Sequence, residues 1–389
     1  MPSLKDLSFE LVCRVVESLC LHCSCPPQIC QCNRGCLAID PTCDPSSKCL
    51  PECPPSEVKA RIRALGSLCL TSRLLNTAAT QHLFHRPDTD KWWLLVRTLL
   101  RRPHLAAHVK RLSFPELYLD KYPNSADVAS DVWSYYSARL GEARDAAPLR
   151  GDPDRYGEYT DVRNPDDNDY CPPTFEDTTN ERAALLATLC PAAETLEAVV
   201  GWPSICYLSP AGSLPQLRSV ELAWPVSGRD NGEGLPMDQL AALFRAAPRL
   251  SVVRCRNVWD EGADDGDVDL EPGSGGAVTR LELSCATLTA DALQTLLRAC
   301  PRLETFKYRA MGGEWATVNV EQFHPLQGRD LLFELEKKLQ KVVLDFSSCS
   351  NWLDTNDNGE WGEWSATERK DMALVQSFRE KGIESEIKI

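Results

Sequence analysis

The sequence lacks any run of about eighteen apolar residues, the length that a membrane-spanning helix needs. Residues 1 to 10 also lack the basic start and the apolar stretch of a secretory signal peptide. Positive charge is scarce, because 42 Lys and Arg residues stand against 56 Asp and Glu residues, a formal net charge of -14. Phosphate binding by counterion release needs an excess of cations. The composition therefore predicts a soluble intracellular protein, cytoplasmic or nuclear, with neither a nucleic acid nor a membrane as its partner.

Local catalytic motifs are missing as well. None of the His residues lies in a nucleophile motif, and there is no G-x-S-x-G elbow, Walker loop or H-E-x-x-H motif. Gly273, Gly275 and Gly276 are interpreted as a flexible linker rather than as a phosphate-binding loop. We therefore expect no catalytic residues and a protein that is not an enzyme. The alternative, a hydrolase built on an α/β sheet, would need a nucleophile at the end of a strand.

One stretch resembles the first half of a calcium-binding loop. Asp354, Asn356 and Asn358 stand at loop positions 1, 3 and 5, and Gly359 stands at position 6. Position 12 should be a Glu that binds calcium through both oxygens, but the residue there is Ser365. We interpret this stretch as a surface turn.

Cysteine, in contrast, is abundant. The chain of 389 residues contains 18 Cys, and ten of them fall between Cys13 and Cys53. In a reducing compartment such a cluster indicates a metal site or a tolerated loop composition rather than a disulfide framework. Residues 26 to 55 have no apolar periodicity and are rich in Cys, Pro, Gly, Asp and Ser, which predicts an inserted loop.

Two interpretations of the cysteine cluster stay open. Zinc takes four nitrogen or sulfur ligands, which usually come as two close pairs. Cys20 and Cys23, with His22 between them, form the one pair in this stretch with the standard two-residue spacing. We favour the interpretation of a loop without metal. We therefore expect the protein to bind no metal and no other cofactor. His82 and His85 are interpreted as packing and capping residues of a short helix.

The start of the chain has the apolar spacing of amphipathic helices. Residues 4 to 21 carry apolar side chains at intervals of i, i+3 and i+4, and Ser8 is a candidate N-cap. Helical spacing resumes over residues 56 to 86, which predicts two or three short helices. A further amphipathic helix is predicted in residues 90 to 109, broken at Pro103.

A six-residue pattern, apolar-x-x-apolar-x-apolar, recurs seven times in the rest of the chain. The copies begin at Val109, Leu196, Leu217, Leu250, Val278, Leu303 and Leu339. The copy at Leu196 is imperfect, because its last position is Gly201. Five of the six gaps lie close to the period of leucine-rich repeats, and residues 237 to 250 and 290 to 303 are near copies of each other. Because a strand and helix of this size cannot bury their own apolar faces, the units must stack into a curved α/β solenoid with a parallel sheet on its concave face. The alternative is a doubly wound α/β domain with unrelated helices.

Two acidic insertions interrupt the repeats, at residues 119 to 182 and 259 to 276. The first holds 15 acidic and 7 basic residues, which gives a net charge of -8. Loops of this size emerge on one side of a solenoid and are candidate sites of binding specificity.

The helices at the start of the chain resemble the F-box motif as it is found in fungal F-box proteins. The matching residues fall in three segments of the motif. They are Leu7, Glu10, Leu11, Val15 and Leu19 in the first segment, Leu68, Cys69, Ser72 and Arg73 in the second, and Leu83, Phe84 and His85 in the third. Ser8 stands where the motif usually has Pro, and the Cys-rich loop splits the motif.

This resemblance implies a non-enzymatic substrate receptor of a Skp-cullin-F-box ubiquitin ligase. Such a receptor bridges a Skp-type adaptor, attached to the cullin ligase core, and a client protein that is to be ubiquitinated. The implied organisation is an F-box-like helical domain in residues 1 to 88 with the Cys-rich insertion at 26 to 55, a linker helix at 89 to 108, and a leucine-rich-repeat-like domain at 109 to 389. The alternative is a leucine-rich-repeat interaction scaffold without ligase association.

Two surfaces are expected to carry this function. A short helical bundle cannot bury all of its apolar side chains, so some remain for a partner helix. The expected adaptor-binding residues are Leu7, Leu11, Val15, Leu19, Leu68 and Leu74. Residues that alternate with buried positions on the strands, or closely follow a strand, are expected to bind the client. They are Arg218, Trp224, Arg254, Glu282 and Lys307.

Overall fold

The computed structural model describes residues 8–20, 23, 55–87, 92–114, 186–199, 211–224, 235–259, 270–310, 338–346, 376 and 378–388. The described residues before 199 belong to a first compact unit, and those from 199 onward belong to a second. Five expectations lie largely or wholly outside the described residues: Leu7, the Cys-rich insertion, the two acidic insertions and the calcium-like stretch.

The described part of the first unit begins with helices. They are α1 (Phe9–Leu19), α2 (Pro55–Thr71), α3 (Arg73–His85), α4 (Trp92–Arg101) and a 3₁₀ helix (Pro103–His108). Ser8 caps α1 as predicted, because its hydroxyl accepts a hydrogen bond from the Leu11 backbone N–H. Ser72 caps α3 in the same way through the backbone N–H of Leu75. The predicted break at Pro103 is confirmed, since α4 ends two residues before it.

The first three helices pack around a small apolar core. Helix α1 contacts α2 and α3, and α2 contacts α3. The buried core residues are Val12, Val16, Leu65, Leu75, Ala78 and Ala79. Val12 and Val16 lie one turn apart on α1, so the core takes one side of that helix. The neighbouring positions Leu11 and Val15 are left exposed.

The first unit continues through α4 and the 3₁₀ helix into two strands. Both α3 and α4 contact the 3₁₀ helix, and the Lys110 backbone N–H donates to the His85 carbonyl at 3.0 Å. The strands are β1 (Arg111–Phe114) and β2 (Thr195–Val199), which pair in parallel. Leu112 lies opposite Leu196, and both are buried.

The second unit combines parallel strands with helices. Its elements are β3 (Ser219–Ala223), β4 (Leu235–Pro236), α5 (Met237–Ala246), β5 (Val252–Arg256), β6 (Val258–Trp259), β7 (Arg280–Ala286), α6 (Ala290–Ala299), β8 (Thr305–Ala310), β9 (Lys341–Asp345) and β10 (Glu384–Lys388). Six of these strands follow one another in the order β3-β5-β7-β8-β9-β10, and β4 pairs with β6. Every strand pairing among the described residues is parallel. The protein is therefore a mixed α/β protein with parallel sheet, as predicted.

The strands of the second unit are aligned so that one row of side chains is buried. The row consists of Val220, Val253, Leu281, Phe306 and Val342, which lie opposite one another on neighbouring strands. Each is the middle residue of the predicted apolar pattern. All seven copies of that pattern contain a strand, so the prediction of the strands is confirmed.

The two near-copies, residues 237 to 250 and 290 to 303, contain the helices α5 and α6, and the carboxyl ends of these helices are hydrogen-bonded in the same way. The backbone N–H groups of Gly212 and Leu214 donate to the last two carbonyls of α5, both at 2.9 Å. The N–H groups of Gly273 and Gly275 donate to the last two carbonyls of α6, at 3.1 and 2.9 Å. The chain just before β3 therefore binds the end of α5 in the same way as the chain just before β7 binds the end of α6.

The glycines before β7 are packing positions, which corrects their interpretation as a flexible linker. A Cβ atom on Gly275 would lie 3.0 Å from the Cys300 sulfur and 3.0 Å from the ring of Phe244. Gly273 has a φ of +82°, in the left-handed region that glycine adopts most readily. The chain therefore requires glycine here to bring α5 and α6 close to the turn.

Three strands were not predicted. Strands β4 and β6 have two residues each, too few to show any period. Strand β10 has the sequence ESEIK, in which one large apolar side chain is present, and it pairs with β9 at the edge of the sheet. None of the helices that the structure describes is long and apolar enough to cross a membrane.

Candidate functional site

Two thiols follow the end of α1. Cys20 is the C-cap residue, and its backbone N–H donates to the carbonyls of Val16 and Glu17 at 3.1 Å each. Its side chain is 1% exposed. Cys23 lies three residues further along the chain and is exposed as a residue. The helix end thus places one thiol in the interior and a second close to solvent.

Two imidazoles occupy the last turn of α3. His82 and His85 are three residues apart, a spacing that puts both side chains on the same side of a helix. Their ring centroids are 4.7 Å apart with a tilt of 60° between the planes. The Cys20 thiol donates to the His82 carbonyl at 3.6 Å, which attaches the end of α1 to this turn.

The four side chains converge into what we call the thiol–imidazole cluster, formed by Cys20, Cys23, His82 and His85. Their candidate ligand atoms all lie within 4.8 Å of one another. The Cys23 sulfur is 3.6 Å from Nδ1 of His82 and 3.5 Å from Nδ1 of His85. The Cys20 sulfur is also 3.5 Å from Nδ1 of His85. Two sulfur and two nitrogen donors are thereby gathered in one place.

The surroundings raise the pKa of the Cys23 thiol and lower the pKa of His82. Desolvation of the Cys23 sulfur, which faces the other three side chains, raises the pKa of that thiol to about 12, and the neighbouring Cys20 and Glu17 add to the increase. Desolvation lowers the pKa of His82 below its ordinary value, an effect that Glu17 opposes and His108 reinforces. At neutral pH His82 is therefore uncharged and offers a nitrogen lone pair.

This arrangement differs from the sequence interpretation of the two His residues as packing and capping groups. The sequence does contain two short motifs that point to the site. They are Cys-x-x-Cys at residues 20 to 23 and His-x-x-His at residues 82 to 85. They are about sixty residues apart, and the Cys-rich insertion lies between them. Only the packing of α1 on α3 brings them together.

A second feature of the first unit is a set of exposed apolar side chains. Of the described residues, the large apolar ones that are exposed are Phe9, Leu11, Val15, Leu70, Leu74 and Leu94. Leu11 and Val15, 50% and 43% exposed, lie one turn apart on α1 and therefore share one side of it. Leu70 is 90% exposed at the end of α2. We call Phe9, Leu11, Val15, Leu70 and Leu74 the apolar surface residues.

The predicted adaptor-binding residues divide into two groups. Leu11, Val15 and Leu74 are exposed, so they are accessible to a partner. Leu19 and Leu68 are partly buried against the core of the helical bundle. These two leucines contribute to folding as well as to any surface.

Three of the predicted client-binding residues form one ion-pair network across neighbouring strands. The Nε of Arg254 donates to Glu282 at 3.0 Å, and its guanidinium lies 3.8 Å from Glu221. The ammonium of Lys307 is 3.1 Å from Glu282, which also pairs with Arg280. Burial raises the pKa of Glu282, but Lys307, Arg280 and Arg254 more than offset that effect, and the net pKa lies below the ordinary value.

The remaining two client-binding predictions have different outcomes. Arg218 is exposed just before β3. Trp224 is 7% exposed, which corrects the expectation that it faces the open side of the sheet. The regular alternation of side chains ends with β3 at Ala223, and both Ala223 and Trp224 are buried. Trp224 therefore belongs to the core.

Comparison with known proteins adds no assignment, since no protein-family model and no curated protein matches the chain. What the thiol–imidazole cluster and the apolar surface residues do is therefore inferred from their own geometry and chemistry.

Proposed function

We propose that the protein is the substrate receptor of a Skp-cullin-F-box type ubiquitin ligase, acting in the cytoplasm or the nucleus. The first unit would bind a Skp-type adaptor and the second unit would bind the client, while other subunits catalyse ubiquitin transfer. The observation that carries the proposal is the exposure of the apolar surface residues on a capped three-helix bundle whose sequence resembles the F-box.

The exposed side chains support an adaptor surface on energetic grounds. Full burial of a Leu, Val or Phe side chain stabilises a folded protein by about 1.5 to 3 kcal/mol. A side chain that faces water does not contribute this stabilisation. In the bundle, exposed apolar side chains occur in a short stretch of α1 and near the junction of α2 and α3, where Leu70 and Leu74 lie. Exposed apolar side chains one turn apart on a helix, as Leu11 and Val15 are, are typical of a surface that a partner helix covers.

The second unit supports a repeat domain that presents a recognition face. Strands β5, β7, β8 and β9 begin in the same way, since two consecutive backbone N–H groups donate to the carbonyl of the residue just before the neighbouring strand in the sheet. Strand β10 begins with one bond of this kind, from Glu384 to Gln340. The helices α5 and α6 are closed in the same way as each other. These regularities are expected of stacked leucine-rich repeats. Arg218 and the ion-pair network around Glu282 then lie on the face proposed to meet the client.

The adaptor surface is tested by the double substitution Leu11→Asp with Val15→Asp. Both side chains are exposed, so the bundle should still fold, but two carboxylates would have to be buried against the adaptor without partners. That cost is several kcal/mol, more than most single contacts supply. We expect wild-type protein to bind purified Skp-type adaptor in isothermal titration calorimetry and the double variant to show no measurable binding.

Arg14→Asp is the matched control. It lies on the same helix, pairs with Glu10 at 3.7 Å, and makes the same change of two units in net charge while both Leu11 and Val15 are kept. This control should bind the adaptor as wild type does. Failure of the wild-type protein to bind any Skp-type adaptor would favour the interaction scaffold without ligase association. Equal binding by the double variant would remove α1 from the adaptor surface.

A further inference from the structure

We propose that Cys20, Cys23, His82 and His85 bind one zinc ion, which joins the end of α1 to the last turn of α3. The inference does not depend on the proposed ligase function, because it concerns only side chains of the first unit. It rests on the geometry of the four donor atoms.

The distances within the cluster are those of ligands around a common centre. A tetrahedron with Zn–S bonds of about 2.3 Å and Zn–N bonds of about 2.0 to 2.1 Å has sulfur-to-nitrogen edges of about 3.5 to 3.6 Å. Three of the four sulfur-to-nitrogen pairs in the cluster are separated by 3.5, 3.5 and 3.6 Å, and all four donor atoms lie within 4.8 Å of one another. The Cys23 sulfur is nearly equidistant from both Nδ1 atoms, and Nδ1 of His85 is equidistant from both sulfurs. Such sharing of each atom among several neighbours is the arrangement that a central cation requires.

The donor set selects the metal. Two thiolates and two imidazoles in tetrahedral arrangement suit zinc, whereas magnesium and calcium require oxygen ligands. Cys-x-x-Cys is the usual spacing of one zinc ligand pair. His-x-x-His is one residue shorter than the usual histidine spacing, but on a helix it places both rings on the same side. The exposed Cys23 provides the route by which the ion enters.

The chemistry of the site explains how two neighbouring thiols are held together. Zinc displaces the thiol protons and binds both sulfurs as thiolates, and its two positive charges balance theirs. With four protein ligands the coordination is complete, so no position remains for water or substrate. The site is therefore structural. It fixes the point where the chain leaves α1 and enters the Cys-rich insertion, and it ties that point to α3.

The test must separate this cluster from the other cysteines of the insertion. We define the loop-serine variant as the full chain in which seven cysteines outside the cluster are replaced by Ser. They are Cys25, Cys30, Cys32, Cys36, Cys43, Cys49 and Cys53. After expression with added zinc and exhaustive buffer exchange, mass spectrometry of the metal content should find one zinc per chain of this variant.

Two further variants are built on the loop-serine variant. The cluster variant adds Cys23→Ser and His85→Asn and should bind no zinc. The control adds Cys13→Ser and His104→Asn, which also remove one Cys and one His, but from helices outside the cluster. The control should keep one zinc per chain. A loop-serine variant without zinc, a cluster variant that retains zinc, or a control that loses it would each overturn the proposal.

A second measurement keeps the proposal testable if the cluster variant does not fold. Cobalt(II) replaces zinc and reports coordination by its absorption, so the loop-serine variant should show the intense visible bands of four-coordinate cobalt and a thiolate charge-transfer band. Cys23→His in the same background keeps four donors and should retain metal with a weaker charge-transfer band. Weak bands typical of six-coordinate cobalt in the loop-serine variant would contradict the site.

Discussion

In the first unit six large apolar side chains are exposed, whereas none of the described large apolar side chains of the second unit is. The second unit also pairs its charged side chains across neighbouring strands, as Arg254, Glu282 and Lys307 illustrate. The first unit pairs charges as well, Lys110 with Glu194 and Arg111 with Glu197. The first unit leaves apolar groups in water and gathers two thiols and two imidazoles at the end of two helices.

The difference follows from how the two units make their cores. A parallel sheet with one buried row adds a large apolar residue to the core at each strand, as Val253, Leu281 and Phe306 do. The buried core of the helical bundle consists of two Leu, two Val and two Ala side chains, the last being Ala78 and Ala79. A small core stabilises a domain weakly, so metal binding and partner binding have proportionally more effect there.

The largest contrast should come from removing one phenyl ring from each unit. Phe306→Ala opens a cavity beneath β8 and should destabilise the second unit by about 3 to 5 kcal/mol. Phe9→Ala removes a ring that is already half in water and should cost less than about 1 kcal/mol. Hydrogen exchange followed by mass spectrometry across a urea series measures each unit separately. Similar losses for the two variants would refute the contrast in burial.

Removal of metal should affect the first unit alone. If free zinc is present at about 100 times its dissociation constant, binding stabilises the folded unit by about 2.7 kcal/mol. Treatment of the full chain with a chelator should therefore raise hydrogen exchange in α1 and α3. Exchange in β7 and β8 should stay unchanged. Equal loss of protection in both units would show that the chelator acts elsewhere.

The ion-pair network should make the second unit sensitive to acid. Because the pKa of Glu282 is lowered in the folded state, its charge stabilises the fold above the ordinary pKa of 4.5, and this stabilisation is lost as the pH falls through the lowered value. Glu282→Gln should cost about 1 to 3 kcal/mol at pH 7, since three cations lose their partner. The difference from wild type should shrink steadily below pH 4.5 in denaturation experiments.

Glu384→Gln is the control for that measurement. Glu384 pairs with Lys341 at the edge of the same sheet, but its side chain is largely exposed. An exposed pair of this kind contributes little, so the variant should match wild type within about 0.5 kcal/mol at every pH. A loss as large as that of Glu282→Gln would mean that burial does not decide the strength of these pairs.

The smallest effect on stability is expected at Leu70. Its side chain is 90% exposed, so Leu70→Ser should change the stability of the first unit by no more than about 0.5 kcal/mol. The same substitution should weaken binding to a Skp-type adaptor if Leu70 belongs to the proposed surface, which titration calorimetry measures. A large loss of stability would show that Leu70 packs against the chain instead.

Much of the local structure was predictable because it depends on neighbouring residues. Apolar spacing located α1, the strands and the near-copies that became α5 and α6, and Ser8 was recognisable as a cap. Strand β10 was missed because its sequence is mostly polar and its place depends on pairing with β9. Trp224 was assigned to the wrong side because alternation holds only within a strand and stops where β3 ends.

The sequence by itself determined the helices, the repeated strands, the abundance of thiols and the excess of acidic charge, since these follow from composition and short-range spacing. The tertiary structure alone decided that Cys20 and Cys23 meet His82 and His85, that Leu11 faces water while Val12 is buried in the core, and which charges pair across the sheet. Contacts between residues far apart in the chain depend on how whole helices and strands pack. No spacing within either partner segment contains that information.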